Sequence, residues 1–135
     1  MMLMMFTVII ASPTAFATAL NTHINDISPI TCKHGDTVSV TAKLWNENYI
    51  DGFWDNPTGH QDLHFYLYSY NLEDQQIVLE KTEETRLMTG KATVTIDTTK
   101  IDPGEYFLVV VFKGDSGLVA DLKPCTTKTP FTVNP

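Results

Sequence analysis

Between Thr37 and Trp45 the chain alternates in character: Val38, Val40, Ala42 and Leu44 fall on one side, Thr37, Ser39, Thr41 and Lys43 on the other. A repeat of two is the mark of a strand with one face buried and one wet. The same period recurs from Leu63 to Tyr70, where Leu63, Phe65 and Leu67 oppose His64, Tyr66, Tyr68 and Tyr70, and from Lys91 to Asp97, where Ala92, Val94 and Ile96 share a face. Ile27–Cys32, Gln76–Thr82, Glu105–Lys113 and Thr129–Val133 complete seven predicted strands, separated by turn residues such as Lys33-His34-Gly35-Asp36. Leu79–Met88 is charged, and reads as an edge strand or loop, or as one short helix. Seven short strands with turn signals between them imply an all-β sandwich or barrel. The phase predicts a core of Val38, Val40, Ala42, Leu44, Phe65, Leu67, Val94, Ile96, Leu108, Val110, Phe112, Phe131 and Val133.

A length of 135 residues fits one domain. The first twenty residues carry no charge and lead to Ala15-Phe16-Ala17, a small-residue pattern suited to signal peptidase. Residues 1–17 are therefore read as a signal peptide, or as a retained N-terminal membrane anchor, and residues 24–135 as the folded domain. Either reading places the domain in the secreted or cell-surface compartment. There, Cys32 and Cys125 are expected to form one disulfide, with two unpaired thiols as the alternative. The net charge of −7, without any cluster of Lys and Arg, argues against a nucleic-acid partner. Asn56-Pro57-Thr58 is the only N-x-T, and its proline blocks glycosylation.

The turns carry a further pattern. Gly35-Asp36-Thr37-Val38 opens the second strand, Gly90-Lys91-Ala92-Thr93-Val94 the fifth, and Asp102-Pro103-Gly104-Glu105-Tyr106 the sixth, which ends in Phe112-Lys113-Gly114-Asp115. Over about residues 30–133 this resembles the bacterial and archaeal immunoglobulin-like (Big-type) domains of adhesin-like surface proteins. The resemblance implies an immunoglobulin-like β-sandwich of about seven antiparallel strands at a cell surface, in an adhesion or structural role. Asp102, Gly104 and Tyr106 look like a tyrosine corner, in which the phenol returns to backbone at the turn into the sixth strand. The chain departs from antibody domains in having Leu108 where those carry a cysteine, and no core tryptophan in the third strand.

Three features carry candidate function. The first is an outward aromatic and aliphatic face made by Tyr66, Tyr68 and Tyr70 of the third strand with Phe107, Val109 and Val111 of the sixth. An apolar exterior on one sheet marks a contact surface for another protein or a copy of itself, unless the chain's own Glu73–Met88 covers it. The second is the long Asn46–Asp62 connection, where Tyr49, Phe53 and Trp54 stand beside Asp51 and Asp55. Rings that stack on sugar CH groups, next to carboxylates that bond hydroxyls, suit a cell-surface glycan; the plain alternative is a loop plugged by Trp54. The third is His60, Asp62 and His64, which share one side of an extended chain and offer a weak zinc possibility without a fourth ligand. No catalytic motif is present. The sequence thus predicts a non-catalytic interaction module without a cofactor, with a carbohydrate-binding domain as the alternative.

Overall fold

The computed structural model describes residues 19–47, 56–69, 76–116 and 121–135. Among these described residues, twelve strands run in order: β1 (Ala19–Leu20), β2 (Thr22–Ile24), β3 (Ile30–Lys33), β4 (Thr37–Asn46), β5 (Asn56–Pro57), β6 (Asp62–Ser69), β7 (Ile77–Glu84), β8 (Lys91–Asp97), β9 (Gly104–Phe112), β10 (Asp115–Ser116), β11 (Asp121–Leu122) and β12 (Cys125–Asn134). The seven predicted strands are β3, β4, β6, β7, β8, β9 and β12. Two further short strands, β1 and β2, lie ahead of them. Leu79–Met88 resolves into the end of an edge strand, Glu84 being its last residue, and a turn at Leu87–Thr89.

The strands form two main layers. One sheet has the order β3-β12-β9-β6-β7; in the other, β4 is flanked by β2 on one side and by β5 and β8 on the other. A small ribbon of β1, β11 and β10 sits beside them. This is the immunoglobulin partition, with β2, β4 and β8 as strands A, B and E, and β6, β9 and β12 as C, F and G. Strand β7 adds a C′ edge. Two pairings are parallel, β3 with β12 and β1 with β11, which amends the expectation of an antiparallel sandwich. The chain leaves β4's sheet after Ile24, crosses over, and meets the last strand running the same way. Parallel neighbours need such distant partners, since no tight turn can join them.

Alternation explains why the layers stick. Val40, Ala42, Leu44, Ala92, Val94 and Ile96 of one sheet form a single buried cluster with Leu63, Phe65, Leu67, Leu108, Val110, Phe112, Phe131 and Val133 of the other. Each large side chain so buried contributes about 1.5–3 kcal/mol. Every predicted core residue is buried except Val38, which packs at the margin; Ile24, Ile101 and Tyr106 join the cluster as well. Polar ties close the ends. The buried Thr98 hydroxyl accepts from Gly35 N (2.9 Å) and donates to the Asp36 carbonyl (2.7 Å), pinning the β3–β4 turn to the 3-10 turn Thr98–Lys100. Tyr106 Oη donates to the Asp102 carbonyl at 2.5 Å. Burial and the nearby Asp102 carboxylate raise the Tyr106 pKa, keeping the phenol a donor.

The expected disulfide is absent: Cys32 and Cys125 are both free. Register gives the reason. Cys32 lies opposite Val133 while Cys125 lies opposite Phe112, so the two cysteines mark opposite ends of β12. Val133 lies eight residue steps along β12 from Cys125, about 27 Å at the strand rise. A disulfide spans Cα atoms no more than about 7 Å apart. Burial raises the pKa of each thiol, and Asp36 adds to the effect at Cys32.

Candidate interaction face

The outer surface of the five-stranded sheet is set by register. Across β6 and β9, Tyr68 lies opposite Phe107, Tyr66 opposite Val109, and His64 opposite Val111. These residues share the face because each is out of phase with Phe65, Leu67, Leu108 and Val110, which fill the core. On the β12 side the rows continue to Pro130, Lys128 and Thr126. On the β7 side they reach Ile77, Glu80 and Thr82. An apolar stripe two strands wide is therefore bordered by Lys128, Thr126, Glu80 and Thr82, with Pro130 and Ile77 continuing it across the Tyr68–Phe107 row, the arrangement of a contact surface with a largely polar rim.

The stripe is ordered by its own contacts. His64 and Tyr66 stack with centroids 6.3 Å apart and planes 16° apart, and Tyr66 meets Tyr68 at 6.2 Å and 47°. The Lys128 ammonium lies 4.1 Å from the centroid of the Phe107 ring, a cation–π contact. His64 Nδ1 is 3.1 Å from Thr82 Oγ1. Tyr66, Tyr68, Phe107, Val109 and Val111 are all half-buried, since neighbours on the same face shield one another. Ile77 and Val78 extend the apolar surface at the sheet edge and are 48% and 43% exposed. The described part of the segment expected to cover this face, Gln76–Met88, runs beside β6 as β7 and then turns into β8. It widens the sheet and leaves the face open. Tyr70 lies outside the described residues.

The other sheet presents a different exterior. Thr37, Ser39, Thr41, Thr93 and Thr95 are exposed, and Thr41 Oγ1 and Thr93 Oγ1 are 2.8 Å apart. The Lys43 ammonium sits 3.9 Å from the Trp45 ring centroid. One layer is thus wet outside and the other is not.

At the end of the apolar stripe, a shallow depression of about 320 Å³ is lined by residues including His60, Asp62, His64, Glu84 and Asp115. His60 Nδ1 approaches Glu84 Oε1 at 3.8 Å, with both side chains well exposed. His64 is turned to Thr82, and Gln61 Nε2 donates to Asp115 Oδ2 at 3.1 Å. Among the described residues, no three His, Cys, Asp or Glu side chains converge as a metal site. His60, at φ 57°, is not on extended backbone, so the sequence alignment with Asp62 and His64 does not hold. The glycan candidates Tyr49, Asp51, Phe53, Trp54 and Asp55 lie outside the described residues, as does the 1–17 segment.

Sequence reasoning did not find Ile77, Val78 or Lys128 as members of this surface. Lys128 joins it only through the β9–β12 register, which no local pattern encodes. Ile77 sits next to a register shift at Leu67/Tyr68 that resets which side chains face out. His64 had a visible signal, being in phase with Tyr66 and Tyr68.

No family model matches the chain, and no curated protein matches it. Among solved structures it is similar to the ASH / PapD-like domain of human CEP192 (PapD-like domain 7), at 13% identity, with 83% of this chain and 84% of that chain covered and a TM-score of 0.43.

Proposed function

We propose that the chain is a non-catalytic protein-interaction module of the cell surface or secreted space, with an adhesive or structural role, that contacts its partner through the outer face of β6 and β9. The observation that carries this reading is the apolar stripe of Tyr66, Tyr68, Phe107, Val109 and Val111 with its polar rim. Half-buried aromatics that are already ordered by their neighbours lose little side-chain entropy when a partner covers them. The opposite sheet offers mainly threonines, a serine and charged side chains in the same positions, with Trp45 under the Lys43 ammonium, so the broad apolar surface is confined to one layer.

Export is part of the proposal and rests on the uncharged Met1–Ala17 stretch with its Ala15-Phe16-Ala17 site. Cleavage after Ala17 leaves every described residue in place, since β1 begins at Ala19. The kinship with bacterial and archaeal surface domains, suggested by the turn motifs, belongs to the same proposal. Its turn residues have physical reasons here: Gly90 and Gly114 both adopt positive φ, 68° and 89°.

Site-specific photocrosslinking tests the contact face. A photoreactive residue at Tyr68 is expected to trap one discrete partner band on intact cells, whereas the same residue at Thr41 on the wet sheet traps none. Equal labelling from both positions overturns the reading. A glycan array with wild type and Trp54→Ala addresses the carbohydrate alternative. Loss of a specific glycan signal on that substitution alone would move the function to the loop.

A further inference from the structure

Among the described residues, strand β8 is the end of its sheet. There it pairs with β4 alone, and its other edge faces an open seam of about 270 Å³ between the two layers, lined by Lys81, Thr82, Glu83, Thr93, Val94 and Thr95. The bonds Leu44 N to Gly90 O and Thr98 N to Asp36 O show that the even-numbered residues of β8 address β4. Lys91, Thr93, Thr95 and Asp97 therefore point their main-chain groups into the seam. Lys91 is already occupied, its carbonyl by Arg86 N and its amide by Thr89 Oγ1. The Thr95 carbonyl accepts from Lys81 Nζ at 2.5 Å. The N–H and C=O of Thr93 and the N–H of Thr95 have no bond among the described residues.

The edge matches itself. Two copies of Lys91-Ala92-Thr93-Val94-Thr95-Ile96-Asp97 can pair antiparallel about a two-fold axis at Val94. That register sets Thr93 opposite the partner copy's Thr95, twice, and Lys91 opposite Asp97, twice. Thr93 and Thr95 then form the closely hydrogen-bonded pairs, which use the open groups just counted together with the Thr95 carbonyl once Lys81 releases it. Registers centred on Thr93 or Thr95 place Lys91 or Asp97 opposite a threonine and lose both charge pairs. All four side chains are exposed on the same outer face, and Asp97 bonds Thr99 N and Thr99 Oγ1 through Oδ1, with no hydrogen bond to Oδ2 among the described residues. The strand interior is β-branched and uncharged, which favours added strands. Against it stands Lys81, an inward-facing charge on the neighbouring β7, the device by which sheet edges are kept from unwanted pairing.

We infer that the β8 edge is a self-association site for a second copy of this chain, formed by an isologous β8–β8 pairing centred on Val94, with Lys81 as its guard. The pairing joins two β2-β4-β8 layers into one continuous sheet and leaves the β6–β9 face free for a partner. It is independent of the proposed contact through that face.

Sedimentation velocity on the full chain over a concentration series tests it. Wild type is expected to show a reversible monomer–dimer equilibrium, tightened about tenfold by Lys81→Thr, which frees the Thr95 carbonyl. Lys91→Asp and Asp97→Lys each place like charges in opposition twice and weaken the dimer about tenfold. The double swap Lys91→Asp/Asp97→Lys is expected to restore wild-type association. Asp97→Lys also removes the bonds to Thr99, a defect the double swap retains, so recovery reports on pairing and not on fold stability. Amide exchange at Thr93 and Thr95 is expected to slow as concentration rises. A monomer at every concentration in both wild type and Lys81→Thr overturns the inference, as does a dimer indifferent to the single charge reversals.

Discussion

Two buried threonines separate a hydroxyl that holds the fold from one that does not. Thr98 Oγ1 both accepts from Gly35 N and donates to the Asp36 carbonyl, whereas Thr129 Oγ1 is buried without a hydrogen-bond partner among the described residues. Thr98→Val leaves the Gly35 amide unmatched and is expected to cost about 2 kcal/mol. Thr129→Val removes an unpaired polar atom at nearly constant volume, and is expected to be neutral or to stabilise by up to about 1 kcal/mol. Urea denaturation of the two variants checks both signs at once. Neither role was legible locally: the partners of Thr98 come from a turn more than sixty residues away, and Thr129 reads as one more residue of an alternating strand.

At the scale of elements, the β7–β8 turn shows how a motif glycine becomes a physical requirement. Gly90 has φ +68°, and a Cβ there would lie 2.7 Å from the Leu44 carbonyl oxygen and 2.8 Å from Thr58 N. Backbone from three elements meets at this one residue, with Leu44 N donating to Gly90 O at 2.9 Å and Thr58 N to Leu44 O at 2.9 Å. Gly90→Ala is expected to destabilise by about 2–3 kcal/mol through left-handed strain and backbone displacement. Exchange of the Leu44 amide is expected to accelerate more than that of Val110 in the opposite sheet. The strands themselves were readable from period two, with ends shifted by a few residues. β12 is the largest departure, beginning at Cys125 where alternation suggested Thr129. After Cys125 come two threonines and a lysine, whose strand state comes from pairing with β9 and not from their own pattern.

For the whole molecule, titration and redox behaviour follow from burial. The Tyr106 phenol and the thiols of Cys32 and Cys125 all have folded-state pKa values raised above their ordinary 10.0 and 9.0, chiefly by desolvation. The folded state holds those protons more tightly than the unfolded chain. Their contribution is therefore complete below the ordinary values and is lost as pH rises through the raised ones. Urea midpoints are expected to fall from about pH 9 upward, with a shallower fall in Tyr106→Phe. Asp97 behaves oppositely: the Thr99 hydroxyl bond, then the Thr99 amide, lowers its pKa, so its share is present at neutral pH and lost as pH drops through the depressed value. Because the thiols sit at opposite ends of β12, reductant is expected to leave the melting temperature unchanged. Thiol titration of the unfolded, unreduced chain is expected to return two groups per molecule.

The sequence alone determined that this chain is built of strands and which side chains of each strand go inward, because period two is a local consequence of the pleat. It also carried the tyrosine corner and the aromatic run His64, Tyr66, Tyr68, whose parts lie close together in the chain. Only tertiary structure decided which strands are neighbours, and with that the separation of Cys32 from Cys125, the place of Lys128 over Phe107, and the free edge of β8. Those are matters of register between segments tens of residues apart, and side-chain alternation within a strand is blind to which strand lies beside it.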